Sequence, residues 1–332
     1  MSYRLDCKPY HRRFHTPLRT AHGDWGIREG LLIRLEDAGG KAGYGEVAPI
    51  PGFTTESMDD AKAWLEQHKE IDTVTIDRIP SRLPCVRVAL EWARMQIQGI
   101  TPSPEGGTVR IAALLPAGPA AVATIENAQL AGHTAFKWKM GVMLAWEEMA
   151  ILKDLIDRLK PGDQLRLDAN GGLNQQEARL WMNHLSGCPI EYIEQPMGVR
   201  HLKTLWDLAD YFPTPIALDE SVSSFDDLRR AVDLEWPGYL VVKPVLLHRL
   251  EAFLAWRETV AARLVYSSAF ETGIGYELCL HLATSDRRSN HAAGFGTTVL
   301  FEEDGLNHYQ AVGQLSWTPL DPSSKDRLWN QL

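Results

Sequence analysis

The fold of this chain is decided around Phe136-Lys137-Trp138-Lys139-Met140, where two lysines alternate with bulky apolar residues. Side chains two residues apart on a β-strand point to the same face, so the pattern predicts a strand that presents Lys137 and Lys139 together. Two ammonium groups held side by side disfavour each other's charge, and we therefore expect at least one of them to have a lowered pKa. Such a lysine can act as a general base. An edge strand with a solvated lysine face is the alternative interpretation of this stretch alone.

Ionisable residues recur at the ends of the strand candidates that follow. The five positions are Lys139, Asp168, Glu194, Asp219 and Lys243. Successive members lie roughly 25 residues apart, which is about the length of one strand-helix unit. Each residue therefore falls at the same end of the next strand, and in a closed barrel those ends form one rim where active sites lie. We expect the five side chains to converge on one pocket, with a lysine on each side and three carboxylates between them.

Short apolar runs alternate with helical stretches in residues 101–299. The strand candidates are Val109–Leu115, Thr134–Met140, Gln164–Asp168, Ile190–Glu194, Pro215–Asp219, Tyr239–Lys243, Arg263–Ser267 and Ala292–Phe295, with helices predicted at Ala145–Leu159, Asn174–Leu185 and His248–Val260. This alternation predicts an α/β fold with a parallel sheet, and eight such units favour a (β/α)8 barrel. An open doubly wound sheet is the alternative, but Leu115-Pro116-Ala117-Gly118 is not the Gly-rich turn that usually announces one.

Residues 1–100 form a separate α+β unit in this interpretation. Strands are predicted at Gly30–Glu36 and Ala42–Val47, and helices from Thr55 to about His68 and from about Pro84 to Gln98. Gly and Pro punctuate the segments 19–26 and 48–53, so both are predicted to be loops. A stretch rich in Pro and Gly at 101–107 is the linker candidate.

The three carboxylates of the predicted rim cannot share a small pocket uncompensated, because like charges raise each other's pKa. A divalent cation would provide the compensation. Ligation by oxygen atoms alone favours a hard ion, Mg²⁺ first, with Mn²⁺ able to substitute. A metal ion with flanking lysines suits abstraction of a proton next to a carboxylate. The ion and one ammonium group would stabilise an enediolate, while the other lysine, in its neutral form, takes the proton.

Composition excludes several other classes of protein. The formal net charge of −9 gives no support for nucleic-acid binding. Four widely spaced cysteines form neither a metal motif nor a disulfide framework, and the N-terminus has no secretory h-region, so a cytoplasmic location is expected. Pro and Gly interrupt the least polar stretch, residues 111–125, so no membrane span is expected. The expected partner is a small carboxylate substrate, and both a monomer and a small homo-oligomer remain open.

Several motifs of the chain resemble those of a known superfamily. They are Phe136-Lys137-Trp138-Lys139, Leu167-Asp168-Ala169-Asn170, Ile193-Glu194-Gln195-Pro196, Leu218-Asp219-Glu220 and Val242-Lys243-Pro244. Together they resemble the enolase superfamily in its muconate-lactonizing-enzyme-like subgroup, for which a lysine base acting with Mg²⁺ is an established feature. The resemblance runs from about residue 3 to about residue 300 and implies that residues 1–100 are a capping domain. It also implies that the tail from about 300 to 332 packs back on that domain.

The N-terminal loops narrow the resemblance to one family of the subgroup. Leu18-Arg19-Thr20-Ala21-His22-Gly23 and the stretch from Gly45 to Phe53 resemble capping-domain loops of dehydratases that form 2-succinylbenzoate. The resemblance then implies that Lys139 is the base, and the acid for the departing hydroxyl, and that Lys243 stabilises the enediolate. Asp168, Glu194 and Asp219 match the metal ligands. Lys137 is expected near the substrate carboxylate, where it would depress the pKa of Lys139. Further candidate substrate contacts are Thr20, His22, Trp25, Phe53, Asn170, Ser267 and Ser268.

Other members of the subgroup, dipeptide epimerases and N-succinylamino acid racemases, use the same five residues, so those residues do not discriminate between the activities. Dipeptide epimerases usually carry an Asp-x-Asp motif on the eighth strand. Here Ala293-Gly294-Phe295-Gly296-Thr297-Thr298 contains no acid, which counts against them. Racemase side activity stays open, because both substrates carry a succinyl arm. A non-enzymatic scaffold predicts decay of at least one of the five positions, and none is missing.

Overall fold

A computed structural model of the chain describes residues 1–20, 23–51, 53, 55–310 and 312–332, and it describes only the backbone of residues 19, 20 and 23. The predicted contacts His22 and the side chain of Thr20 therefore lie outside the described residues. In the described part of the chain, the strands form a four-stranded antiparallel sheet, a seven-stranded parallel sheet and a two-stranded sheet.

The four-stranded sheet belongs to the N-terminal unit. Its strands are β1 (Ser2–Thr20), β2 (Gly23–Asp37), β3 (Ala42–Val47) and β4 (Glu70–Asp72), in the order β3-β2-β1-β4, and the helices are α1 (Met58–Glu66), α2 (Thr73–Asp77) and α3 (Pro84–Gln98). Helix α3 packs against β3 at two glycines. A Cβ at Gly43 would lie 2.0 Å from the carbonyl oxygen of Ala93, and one at Gly45 would lie 2.1 Å from that of Ala89. Only glycine allows this close approach.

The prediction of a loop at 19–26 is wrong for the described residues. Leu18 pairs with Trp25 and Arg19 with Asp24, so the described residues of this segment belong to β1 and β2. No strand is predicted near the N-terminus from the sequence, whereas β1 is 19 residues long. Its buried positions include Arg12, which hides the apolar alternation expected of a strand. The described residues of 48–53, by contrast, contain neither helix nor strand, as predicted.

The seven-stranded parallel sheet forms the second unit of the fold. Between residues 101 and 299 the strands are β5 (Gly107–Arg110), β6 (Ala113–Leu115), β7 (Ala135–Lys139), β8 (Gln164–Asp168), β9 (Ile190–Glu194), β10 (Ile216–Leu218), β11 (Tyr239–Val242) and β12 (Arg263–Tyr266). The helices are α4 (Ala120–Leu130), α5 (Ala145–Ile156), α6 (Gln175–Leu185), α7 (Leu202–Tyr211), α8 (Phe225–Asp233), α9 (Leu250–Arg257) and α10 (Gly273–Ser285). The sheet order is β12-β11-β10-β9-β8-β7-β6, so each strand neighbours the one before it in the chain.

Two of the predicted barrel strands differ from the prediction. The first, predicted at 109–115, is split into two strands: β5 pairs with a strand of the C-terminal tail, and only β6 joins the parallel sheet. The eighth, predicted at 292–295, is reduced to two parallel bridges, Ile111 with Ala293 and Ser267 with Gly294. These bridges close the sheet between its edges. A Cβ at Gly294 would lie 2.7 Å from Oγ of Ser267, so a larger residue here would require the serine side chain to move.

The C-terminal tail contributes β13 (Gln314–Trp317), which pairs with β5, and α11 (Pro322–Asn330). Helix α11 contacts the four-stranded sheet, because Nζ of Lys8 donates to the carbonyl oxygen of Trp329 at 3.0 Å and the hydroxyl of Tyr44 pairs with Asp326. The boundaries at residues 100 and 299, with the tail joined to the N-terminal unit, stay a proposal. None of the helices in the described ranges has the length and apolar character needed to cross a bilayer.

Candidate active site

Strand register brings three of the ionisable residues side by side. Lys139 at the end of β7 is the Cα partner of Asp168 at the end of β8, and Asp168 is in turn the partner of Glu194 at the end of β9. Asp219 follows β10 and Lys243 follows β11, at the same carboxyl edge. The structure therefore places all five residues on one rim, at the end of the sheet where active sites of parallel barrels lie.

Sharp turns follow these strands, and a buried amide fixes one of them. Asn170 and Gln195 have positive φ angles of 44° and 36°. Oε1 of Gln195 accepts hydrogen bonds from the backbone N–H groups of Asp219 and Ser221, at 3.0 and 3.2 Å. Its Nε2 donates to the carbonyl oxygen of Met197 at 2.8 Å. Gln195 thus holds the backbone of Asp219 against the end of β9, a role that is not among those predicted from the sequence.

Carboxylates enclose the ammonium group of Lys137. Its Nζ lies 2.8 Å from Oδ2 of Asp168 and 2.7 Å from Oε1 of Glu194. Burial disfavours the charged form, but Asp168, Glu194 and Asp219 outweigh it and raise the pKa of Lys137 well above its usual value. Lys137 is therefore not the lysine of the pair whose pKa is lowered, because the carboxylates of the neighbouring strands stabilise its charge. The sequence shows the adjacent Lys139, but it does not show the carboxylates that reach Lys137 from the next two strands.

Lys243 and Phe53 close the other side of the site. The Lys243 ammonium pairs with Asp219, and the ring of Phe53 lies over it with the centroid 4.7 Å from Nζ. The cavity that these three residues share with Val222 and Leu247 has a volume of about 10 Å³. This is room for about one water molecule.

The crowded carboxylates of the rim raise one another's pKa. Burial, followed by the charges of Asp168 and Asp219, raises the pKa of Glu194 to about 7. Burial, followed by the same two neighbours, raises the pKa of Glu220 to about 8. Burial also acts to raise the pKa of Asp168, but the nearby Lys137 outweighs it and lowers that pKa. Glu220 is absent from the predicted site, although its place directly after Asp219 could have indicated it.

The three rim carboxylates are suited by their chemistry to bind a hard divalent cation. Asp168, Glu194 and Asp219 offer oxygen atoms only, which are the ligands that Mg²⁺ prefers. The raised pKa of Glu194 marks negative charge that a cation would compensate. Within the described residues, no three histidine, cysteine or acidic side chains are arranged to hold a metal ion as they stand. The Lys137 ammonium contacts one oxygen each of Asp168 and Glu194, so Mg²⁺ would share these two carboxylates with Lys137.

The two serines predicted to contact substrate have hydrogen-bond partners within the protein. The buried hydroxyl of Ser268 donates to Oε2 of Glu271 at 2.7 Å and lies 2.7 Å from Oγ1 of Thr297. Oγ of Ser267 lies 3.4 Å from the carbonyl oxygen of Gly294, at the closure of the barrel. Both serines therefore have structural contacts, whether or not they also meet a ligand.

The remaining predicted contacts lie in different places. Asn170 stays on the rim, where its Nδ2 donates to Oε1 of Glu220 at 3.3 Å. Trp25 packs edge-on against Phe14 and Phe270, with centroid separations of 5.3 and 5.4 Å. Phe53, rather than Trp25, is thus the aromatic candidate that contacts a rim lysine.

A parallel barrel with lysines on both sides of three carboxylates, joined to an N-terminal α+β unit, defines an enzyme of the enolase class. Residues 120–313 match the family model described as "Enolase C-terminal domain-like", and residues 18–97 match "MenC, N-terminal domain". The chain belongs to the o-succinylbenzoate synthase family of the enolase superfamily. It is 38% identical over 297 residues to an o-succinylbenzoate synthase of Thermosynechococcus vestitus, covering 86% of this chain and 90% of that protein. Identity to the Thermobifida fusca o-succinylbenzoate synthase is 28%, over 88% of this chain and 82% of that protein.

Solved structures agree with this assignment. An o-succinylbenzoate synthase of Thermosynechococcus elongatus, complexed with Mg in the active site, superposes with a TM-score of 0.85 at 33% identity, covering 99% of this chain and 100% of that chain. The L-Ala-D/L-Glu epimerase of Bacillus subtilis gives a TM-score of 0.82 at 21% identity, covering 95% of this chain and 96% of that chain, and shows the fold alone. The predicted (β/α)8 barrel with an N-terminal capping domain is confirmed.

Proposed function

We propose that this chain is a Mg²⁺-dependent carbon-oxygen lyase that converts 2-succinyl-6-hydroxy-2,4-cyclohexadiene-1-carboxylate to 2-succinylbenzoate, a step toward menaquinone or phylloquinone. The observation that carries the proposal is the shared rim. Lys139, Asp168 and Glu194 are aligned in register, and Lys243 pairs with Asp219 from the adjacent strand, in a chain of the o-succinylbenzoate synthase family.

Each lysine has its own task in the proposed reaction. Nζ of Lys139 takes the proton from the carbon next to the substrate carboxylate, so the C–H bond breaks and an enediolate forms. The same proton is returned to the leaving hydroxyl as the C–O bond breaks, which releases water and gives the aromatic product. The ammonium group of Lys243, on the opposite side, stabilises the enediolate charge.

The carboxylates and Lys137 prepare the site. Asp168, Glu194 and Asp219 would hold Mg²⁺, which when bound supplies Lewis-acid stabilisation of the substrate carboxylate. Lys137 has a raised pKa and keeps its proton at neutral pH. It therefore acts as a fixed positive charge that orients the carboxylates and the substrate, and not as the base.

A direct assay of 2-succinylbenzoate formation, with EDTA and Mg²⁺ additions, tests the proposal. We expect turnover with Mg²⁺, loss of turnover with EDTA, and recovery on re-addition of the metal. Turnover that persists in EDTA contradicts the metal requirement, and absence of product under every condition contradicts the reaction.

A second candidate activity is N-succinylamino acid racemisation. It is favoured by the presence of lysines on both sides of the site, since racemisation needs an acid and a base on opposite faces. Deuterium incorporation at the α-carbon of N-succinylamino acids in D₂O would detect it. If a large molar excess of N-succinylamino acid keeps its α-proton on prolonged incubation with the enzyme in D₂O, this activity is contradicted.

Partners and location complete the proposal. A small carboxylate substrate is the expected partner, without nucleic acid or membrane. The four cysteines are unpaired, which supports a reducing, cytoplasmic compartment. Light scattering of the purified chain would distinguish a monomer from a small homo-oligomer.

A further inference from the structure

Three buried charged side chains of the capping domain are directed toward the β12 loop, residues 267–272, which follows β12 beside the candidate site. They are Glu46 on β3, Arg28 on β2 and Arg12 on β1. Glu46 and Arg28 accept from or donate to backbone groups of this loop, and Nη1 of Arg12 donates to the carbonyl oxygen of Glu271 at 2.9 Å. The proposed reaction uses none of these groups. Burying a charge is costly unless hydrogen bonds compensate, and here the β12 loop and its helix supply many of those bonds.

Glu46 caps a helix that belongs to the other domain. Helix α10 begins at Gly273, and both carboxylate oxygens of Glu46 accept from the backbone N–H of Thr272 at 3.0 Å. Oε2 also accepts from the N–H of Gly275 at 3.0 Å, and Tyr10 donates its hydroxyl proton to Oε1 at 2.5 Å. A carboxylate is favoured at a helix N-terminus by the unpaired N–H groups and the helix dipole. A Cβ at Gly275 would lie 2.8 Å from Oε2 of Glu46, so glycine permits the contact.

Arg28 joins the same β12 loop to the capping loop over the site. Its Nη2 donates to the carbonyl oxygens of Ala48 and Ala269, at 2.7 and 3.1 Å, and its Nη1 donates to that of Pro49 at 2.5 Å. The segment that contains Ala48 and Pro49 leads to Phe53, whose ring lies over Lys243. One guanidinium group therefore connects a loop of each domain at the edge of the site.

The β12 loop is also bonded to the strand that carries Lys243. The N–H of Ser267 donates to the carbonyl oxygen of Val242 at 2.8 Å, immediately before Lys243. Within the loop, Phe270 has a φ of 64°, which is strained for a bulky residue. Its ring packs edge-on against Phe14 of the capping domain at 5.7 Å. Contacts from the capping domain thus hold the loop in a conformation that it would not favour alone.

We propose that Glu46 is a positioning residue that fixes the β12 loop against Lys243 by capping α10 from the capping domain. The inference rests on the proposed function for its kinetic consequence, because a displaced loop weakens substrate binding without removing the base. Docking of the capping domain then also fixes the loop that shapes the site. Glu46 contributes through the β12 loop and touches neither the metal ligands nor the reacting atoms.

Helix α9 provides a matched comparison. Oε2 of Glu91, on capping helix α3, accepts from the N–H of Leu250 at 2.6 Å, at the start of α9. Glu91 therefore also caps a barrel helix from the capping domain, and it is also buried. It makes no contact with the β12 loop among the bonds found in the described residues. Glu91→Gln thus weakens the same domain interface without disturbing residues 267–272.

The test compares Glu46→Gln and Glu91→Gln with wild type in the full chain. Glutamine keeps the shape but turns an NH₂ group toward donor N–H groups, so both variants should show a lowered Tm. We expect Glu46→Gln alone to raise KM about tenfold with kcat within about twofold, and to leave the Mg²⁺ half-saturation in a thermal-shift titration unchanged. Hydrogen exchange of the peptide 267–275 should be faster in Glu46→Gln than in Glu91→Gln.

An equal KM in the two variants, or unchanged exchange of peptide 267–275 in Glu46→Gln, overturns the proposal. If wild type forms no 2-succinylbenzoate, the proposed function fails, and hydrogen exchange alone still decides whether Glu46 positions the β12 loop. If Glu46→Gln does not fold, Tyr10→Phe removes one hydrogen bond to Glu46 and should raise KM about two- to threefold. An unchanged KM and unchanged exchange in Tyr10→Phe then overturn the proposal.

Discussion

Lys139 is the residue to which the proposed mechanism assigns the proton. Lys139→Ala should lower kcat/KM at least about 1,000-fold, because a positioned general base contributes roughly 10²- to 10⁴-fold and this one acts twice. Mg²⁺ should still raise the Tm, since no carboxylate is changed. Lys153→Ala is the control, because that side chain is 79% exposed on α5. Comparable turnover in Lys139→Ala and wild type would contradict the assignment of Lys139 as the base.

Asp219 tests the metal site at the same scale. Its carboxylate lies at the end of β10 and pairs with Lys243. Asp219→Asn keeps the shape but removes a negative charge, so the Mg²⁺ concentration for half-maximal thermal shift should rise at least about tenfold, with loss of metal-dependent turnover. Asp157→Asn, whose side chain is 61% exposed, is the control. Unchanged Mg²⁺ affinity in Asp219→Asn would refute its role as a ligand.

The residues of the site differ in how far sequence reveals them. The five rim residues recur with the period of a strand-helix unit, so their positions follow from spacing. Gln195 and Glu220 each directly follow a rim residue, but their contacts with the neighbouring turns form only once the strands have paired. The high pKa of Lys137 depends on Asp168 and Glu194, which lie beside it only after the strands pair.

At the scale of secondary-structure elements, α5 carries a buried carboxylate that binds the turn between β7 and the helix. Glu148 is fully buried and accepts from the backbone N–H groups of Gly141, Val142 and Met143, at 2.9, 2.9 and 3.1 Å. These residues form the turn that follows Lys139 and β7. The helix therefore holds the turn through one side chain, which ties helix docking to the position of the candidate base.

Glu148→Gln should destabilise the fold by about 1–3 kcal/mol, because an NH₂ group then faces buried N–H donors and leaves them unpaired. Urea unfolding followed by circular dichroism measures the free-energy change. Glu147→Gln, one residue earlier and only half-buried, is the matched control and should change stability by less than about 0.5 kcal/mol. Equal stability of Glu148→Gln and wild type would show that the turn does not depend on this carboxylate.

Element boundaries were predictable where local chemistry sets them. Helix α3 begins at Pro84 and ends before Gly99, which has a φ of 70°, and its predicted bounds are confirmed. Strand β1 escaped prediction because Arg12 lies at a buried position, paired with Asp304 from the far end of the chain. A buried arginine resembles an exposed one until its distant partner is known.

At the scale of the whole molecule, His281 marks the place where three parts of the chain meet. The imidazole packs edge-on against Trp92 of capping helix α3 and Trp317 of β13, with centroids 4.9 and 4.8 Å away. Its Nδ1 accepts from the backbone N–H of Ser103 at 3.3 Å, in the predicted linker. Burial, followed by the charge of Lys325, lowers the pKa of His281 to about 3. The junction therefore requires a neutral imidazole.

The pH dependence of unfolding tests this junction. The unfolded chain binds a proton at His281 below about pH 6.5 and the folded chain does so only near pH 3, so this contribution is full above about pH 6.5 and is lost as the pH falls. Between pH 7 and pH 5, His281 alone should lower the free energy of unfolding by about 2 kcal/mol. His281→Gln should lose that part of the pH dependence in urea titrations at the two pH values, whereas the exposed His11→Gln should keep it. Because wild type and variant share every other titrating group, an identical pH dependence in the two would mean that His281 is not held neutral at the junction.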